Sequence, residues 1–253
     1  MSLNNKIPDI KLIALDMDGT LLNDDHHVSE RVRQAIYEAQ VKGIDVVLST
    51  GRSLAACEEY AKDLKLTSYL ITGNGSEIWH VSGELVERNL LKTDLIDMLF
   101  KLKHEHKAEH WAASVDRVWR NDMPDDLFSR EWLKFGFQIE DDTVRKTLFD
   151  LLSKHDELEV TNSSLTNIEV NAAGVNKAVA LAKLCSKLQC QMENTLAVGD
   201  SLNDMAMIKE AGIGVAMGNA QDALKKEADW VSSSNNEDGV AKAIYRFAIN
   251  PVS

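Results

Sequence analysis

An alternation that starts, breaks off and resumes is what most constrains this chain. Three short apolar runs, "IKLIALD" (10–16), "IDVVLST" (44–50) and "YLITGNG" (69–75), are separated by segments whose apolar residues recur at helical spacing. Those segments are "SERVRQAIYEAQVKG" (29–43), which Ser29 caps and Gly43 stops, and "SLAACEEYAKDLKL" (53–66). Strand, helix, strand at this spacing predicts a parallel sheet with crossover helices. From roughly residue 83 to 172 the pattern changes to short strands and two or so helices, with three of the five tryptophans (Trp111, Trp119, Trp132). The first pattern then returns. A helix over 175–188 leads into strands at 194–200, 213–218 and 229–234 and helices at 203–212, 220–228 and 239–248. The expected organisation is an α/β core made of residues 1–82 and 173–253, with an α+β domain inserted at 83–172.

Composition narrows the function classes. The length of 253 residues lies near the point where one core stops growing and a second domain forms. The formal charge of −12 argues against a broad nucleic-acid-binding face. An anionic small molecule stays compatible with it, because a metal or a few local cations reverse the field in one cleft. Cys57, Cys185 and Cys190 form no C-x-x-C pair and leave an odd thiol, so no disulfide framework is expected. Asp9 and Lys11 interrupt the only early apolar run, and no run approaches the ~18 residues of a membrane span. The expectation is a reduced, cytoplasmic protein with no membrane or nucleic-acid partner.

The ends of the buried runs carry the chemistry. "DMDGT" places Asp16 and Asp18 at the end of the first strand, where alternate side chains share a face. Both would then enter the crevice beyond the carboxyl ends, where open α/β sheets bind ligands. A second acidic cluster, "GDSLND" (199–204), ends another buried run. Two carboxylate clusters in one cleft repel unless a cation lies between them, and an oxygen-rich site of this kind suits Mg²⁺. Thr50 and Gly51 end the second strand with a hydroxyl and an open backbone, and Lys177 lies in the first turn of a helix, where an anion is favoured. Taken singly, these are turn residues and a solvated lysine. Together, at four element ends, they predict a phosphate-and-Mg²⁺ site.

"DMDGTLL", "LSTGR", "GVNKAVAL" and "VGDSLNDMAM" resemble, in order, the four motifs of the haloacid dehalogenase-like hydrolase superfamily. "ITGNGSEI" and the insertion after the third strand are similar to its Cof-type branch of sugar-phosphate phosphatases. One departure is Ala178, where the branch often has glycine after the lysine. The resemblance implies a Rossmann-like core with a cap domain and a two-step phosphoryl transfer. In it Asp16 is the nucleophile and Asp18 the general acid and then base. Asp16, the Asp18 carbonyl and Asp200 hold Mg²⁺, with Asp204 and Ser201 in support. Thr50, Gly51, Lys177 and Asn203 serve the phosphate. The implied substrate is a small phosphorylated metabolite, the implied state a monomer or homodimer, and the cap the part that selects the leaving group.

Other readings compete. A phosphomutase would use the same acid pair. A receiver domain also phosphorylates an aspartate beside Mg²⁺, but needs neither Asp18 nor an insert of this size, and a non-catalytic binder would need none of these groups intact. "HKAEH" (106–110) fits the H-x-x-E-H zinc pattern, yet His104, His106 and His110 are better read as the solvated face of a charged helix. "GIGVAMG" (212–218) reads as a core strand and not a dinucleotide loop, and the insert's tryptophans as its packing core.

Overall fold

The computed structural model describes residues 8–251, so the outermost residues of the two expected core segments, 1–7 and 252–253, lie outside it. The strands are β1 (Leu12–Leu15), β2 (Asp45–Ser49), β3 (Tyr69–Thr72), β4 (Glu77–His80), β5 (Leu85–Arg88), β6 (Glu109–Ser114), β7 (Val118–Arg120), β8 (Trp132–Gln138), β9 (Leu158–Thr161), β10 (Asn167–Ala172), β11 (Thr195–Gly199), β12 (Ile213–Ala216) and β13 (Trp230–Val231). The α-helices are α1 (Glu30–Val41), α2 (Glu58–Asp63), α3 (Thr93–Glu105), α4 (Asp142–Leu152), α5 (Lys177–Lys187), α6 (Met205–Glu210), α7 (Asp222–Glu227) and α8 (Gly239–Ile244).

Two sheets result. The larger has the order β13-β12-β11-β1-β2-β3-β4-β5, parallel from β13 to β3 and closed by the antiparallel β4–β5 hairpin. β1 is buried along its whole length, as a strand flanked on both edges and covered on both faces must be. The chain winds outward from β1 to β2 and β3 on one side, and from β11 to β12 and β13 on the other. The β1/β11 boundary is therefore the point where strand order reverses, and a crevice opens there beyond the carboxyl ends. The smaller sheet, β7-β6-β8-β10-β9, is antiparallel, and α3 and α4 pack on it.

Each sheet has its own apolar cluster. One gathers Leu12, Ile13, Leu15, Ile36, Leu48, Leu181, Val198 and Ile244; the other Leu99, Trp132, Phe135, Phe137, Leu148 and Ile168. From Lys134 onward β8 and its neighbours alternate: Ala112, Phe135, Phe137, Ile168 and Val170 enter the apolar cluster, whereas Trp111, Lys134, Asn167 and Glu169 line a cleft beside the first sheet's Gly51 and Arg52.

The differences from expectation are local. The boundary expected at 82/83 falls inside the β4–β5 hairpin, both strands of which pair in the larger sheet. The expected helix over 53–66 is split into a 3₁₀ turn (Leu54–Ala56) and α2. The Cys57 thiol donates to the Ser53 carbonyl at 3.0 Å, while the Cys57 backbone N–H bonds Leu54 instead, which tightens that turn. His110 is not on a solvated helix face. It lies in β6, buried, and stacks on Phe135 with ring centroids 5.5 Å apart. Its burial follows from strand alternation, which the helical reading of 104–110 missed.

Phe137→Ala should remove a fully buried ring from the smaller cluster at a cost of roughly 3–5 kcal/mol. Urea unfolding measures this, and a loss under about 1 kcal/mol would show that the ring is not at the packed centre of its layer.

Candidate active site

The strand register gathers the motif ends. Leu15 lies opposite Leu48 of β2 and Val198 of β11, so Asp16, Thr50 and Asp200 emerge side by side at one edge of the sheet. Strand alternation does not itself place Asp16 and Asp18, because neither lies on a strand. β1 ends at Leu15, and the chain then winds into a turn in which Leu21 N–H bonds Asp16 O and both Thr20 and Leu22 N–H bond Met17 O. The two acids differ in exposure: the Asp16 side chain is 7% exposed and the Asp18 side chain 54%.

At the buried end stands Lys177, the first residue of α5 and wholly inaccessible. Its Nζ lies 2.6 Å from Asp16 Oδ1 and 2.7 Å from Asp204 Oδ1. The other Asp204 oxygen accepts from the backbone N–H groups of Asp200 (3.0 Å) and Ser201 (3.1 Å). Gly199 and Gly19 make these approaches possible. A Cβ on Gly199 would meet the Asp204 carboxyl at 2.4 Å, and one on Gly19, whose φ is +77°, would meet Asp200 Oδ2 at 2.5 Å.

Carboxylate oxygens of Asp16, Asp200 and Asp204 all come within 4.8 Å of one another. Burial, partly offset by Lys177 and reinforced by Asp204, pushes the Asp16 carboxyl up to about 7. Burial and the Asp16 charge push Asp200 up to about 8. Burial opposes the charge on Lys177, but Asp16 and Asp204 outweigh it and hold the ammonium above its usual range. Three carboxylates, Asp16 and Asp204 buried and Asp200 partly so, leave surplus negative charge against one ammonium when ionised, and every donor is a hard oxygen. The set fits a hard divalent cation. Asp204, with both oxygens engaged, braces this set more than it offers itself.

At the exposed end the Arg52 guanidinium grips Asp18 through Nε (2.8 Å) and an Nη (2.5 Å). Thr50, buried, accepts the Arg52 backbone N–H at Oγ1 (3.1 Å). A Cβ on Gly51 would lie 2.9 Å from Asn74 Oδ1 and 3.2 Å from Lys134 Nζ, so the open backbone there already has side chains facing it. Asn203 donates to Asn74 Oδ1 (3.3 Å) and keeps its own buried Oδ1 without a partner among the described residues. Ser201 Oγ donates to the Ser163 carbonyl of the inserted segment (3.1 Å).

Sequence reasoning did not single out Arg52, Asn74, Lys134 or Glu169. Asn74, at φ 61°, donates to Glu169 and so joins the two sheets; Lys134 lies 3.3 Å from the same carboxylate, and Ser163 Oγ donates to its other oxygen. Burial pushes the Glu169 carboxyl up, but Lys134, Asn74 and Ser163 together bring it below its usual range. "TGR" and "GNG" were the available signals for the first two; the second pair lies in strands with no motif. A cleft of about 490 Å³ opens between the sheets, lined by Gly51, Arg52, Trp111, Arg120, Lys134 and Glu169 among others. The zinc reading of "HKAEH" finds no support, as His106 ends α3 while His110 is buried in β6.

A family model for haloacid dehalogenase-like hydrolases matches residues 13–148 and 121–244. The chain belongs to this family. It is 57% identical over 249 residues to a 5-amino-6-(5-phospho-D-ribitylamino)uracil phosphatase of Bacillus subtilis (strain 168), covering 98% of this chain and 100% of that protein. A second phosphatase of that name from the same organism is 30% identical, over 93% and 97% of the two chains. A solved haloacid dehalogenase-like hydrolase from B. subtilis superposes with a TM-score of 0.87 at 25% identity, covering 94% and 99%. The protein is thus a haloacid dehalogenase-like phosphatase of the Cof type, with that family's capped α/β fold.

The raised carboxyls carry a pH signature. Between an unfolded value of about 4 and the folded values near 7 and 8, the native chain keeps protons that the unfolded chain has released. Metal-free protein should therefore lose stability as pH rises through that window. Added Mg²⁺ should restore it at the upper end by binding only the folded state. Calorimetric Tm values at pH 5 and pH 8, with EDTA and with Mg²⁺, check this; a Tm indifferent to both would mean that the three acids neither crowd nor bind.

Proposed function

We propose that this chain is a Mg²⁺-dependent phosphatase of 5-amino-6-(5-phospho-D-ribitylamino)uracil or a close analogue, working through a phosphorylated Asp16. The observation that carries the chemistry is the contrast between two carboxylates two residues apart. Asp16 is buried and ion-paired to Lys177, while Asp18 is exposed and held by Arg52 at the cleft. The substrate is supported by the 57% identity, end to end, with a phosphatase of that name.

In this reading an Asp16 oxygen attacks phosphorus and the bond to the sugar oxygen breaks. Asp18 gives its proton to the departing alkoxide. Asp18 then takes a proton from water as the water oxygen attacks phosphorus, which frees phosphate and returns Asp16 as a carboxylate. Lys177 holds Asp16 in line and offsets charge on the transferring group. The Thr50 hydroxyl, the Gly51 backbone and Asn203 hold the phosphate oxygens, and Arg52 aims Asp18. Asp16, the Asp18 carbonyl and Asp200 would hold Mg²⁺, with Ser201 and Asp204 in support. Bound there, the ion supplies positive charge to the phosphoryl oxygens. The cleft of about 490 Å³ is in the range for a metabolite site, which a receiver domain has no need of.

Asp16→Asn should abolish phosphate release, and EDTA should do the same to the unaltered protein. Asp18→Asn should slow release by about 10²–10⁴-fold and let an acyl phosphate build up that hydroxylamine captures. Release that survives Asp16→Asn would place the nucleophile elsewhere.

A further inference from the structure

Of the insert's three tryptophans, two behave as packing. Trp119 and Trp132 are 6% and 0% exposed and belong to the apolar cluster beneath α3 and α4. Trp111 lies on the opposite face of the same sheet. It is only partly buried and lines the cleft, and its indole N–H has no acceptor among the described residues. Its cross-strand partner on β8 is Gly136. A Cβ at Gly136 would meet the indole at 2.2 Å, so the absence of a side chain there lets the ring settle across the strand and leaves its other side to the cleft. On the other flank, β7 pairs Arg120 with Trp111. Arg120 is exposed, lines the same cleft and forms no ion pair among the described residues.

A ring-bearing tryptophan seated on glycine, beside a free guanidinium, is what a planar heterocycle with carbonyl oxygens requires: a stacking surface and a donor fork. Placement along the sheet agrees. Lys134, whose ammonium approaches Gly51, lies two residues before Gly136 on β8, and two residues of strand span about 7 Å. Gly51, Lys134 and Trp111 all line one cleft, so a phosphate held at Gly51 and a ring at Trp111 would lie in the same space. We propose that Trp111, laid across Gly136 and flanked by Arg120, is the platform on which the planar base of the substrate stacks, and so determines specificity for a ring-bearing leaving group. This inference rests on the substrate reading above.

The test compares 5-amino-6-(5-phospho-D-ribitylamino)uracil with D-ribitol 5-phosphate, which lacks the ring, on the unaltered protein, Trp111→Ala and Trp111→Phe. Loss of one base–aromatic stack should raise KM for the ring-bearing ester by about 10- to 100-fold in Trp111→Ala, with kcat little changed. KM for the ribitol ester should stay within about twofold, and Trp111→Phe should recover most of the loss. If the unaltered protein favours the ring-bearing ester but Trp111→Ala changes both esters alike, or neither, the platform is overturned while the substrate stands. The Phe variant guards against misfolding, since a merely structural role would weaken both esters in Ala and restore both in Phe. If the unaltered protein shows no preference between the esters, the substrate reading falls and the platform falls with it.

Discussion

A single ammonium holds the acidic edge of the sheet together. Lys177 is wholly buried, and its two carboxylate partners belong to separate stretches of chain, one after β1 and one after β11. Breaking a buried pair by removing one partner typically costs about 3–5 kcal/mol, because the remaining charge has no compensation. Yet Lys177 cannot balance all three acids. Its proximity keeps Asp16 oriented, while the crowding of Asp200 and Asp204 leaves a negative surplus that a proton or a further cation relieves. The fold therefore concentrates negative charge at the point where strand order reverses.

Much of this is legible in the amino-acid sequence. The buried runs at 10–16, 44–50 and 194–200 declare parallel strands because a strand covered on both faces has no room for polar alternation. The acids at their ends stand out because nothing in turn chemistry demands carboxylates there. Other features could not be read. The differing exposure of Asp16 and Asp18 depends on where the β1 ladder stops, a tertiary matter that strand periodicity cannot report. His110 was misread because a helical pattern over 104–110 and a strand beginning at Glu109 differ by only a few residues at their boundary. Lys134 and Glu169 carry no motif. A buried lysine and a buried glutamate in two strands become meaningful only when pairing through β8 and β10 sets them side by side.

The polar seam between the sheets is built from satisfied groups. Asn171 donates to the Gly73 carbonyl (2.8 Å) and to Ser76 Oγ (2.9 Å), and Ser76 Oγ donates to the Leu133 carbonyl (2.9 Å). With Asn74 and Glu169 these bonds join the turn after β3 to β8 and β10. A hydrogen-bonded seam differs from an apolar one in what it tolerates. Its bonds can be exchanged for bonds to water with little net change, whereas parting an apolar face would expose surface to solvent.

Among the described residues, the peptide chain crosses between the two layers only where β5 gives way to α3 and where β10 gives way to α5. Near the second crossing Gly174 adopts φ +71° with nothing within 4 Å of where a side chain would sit. The two apolar clusters have no residue in common. Inheritance can therefore act on the two layers separately. Drift in β6 to β10 can change which compounds enter the cleft, while the stretches around β1 and β11 stay fixed by their shared ammonium.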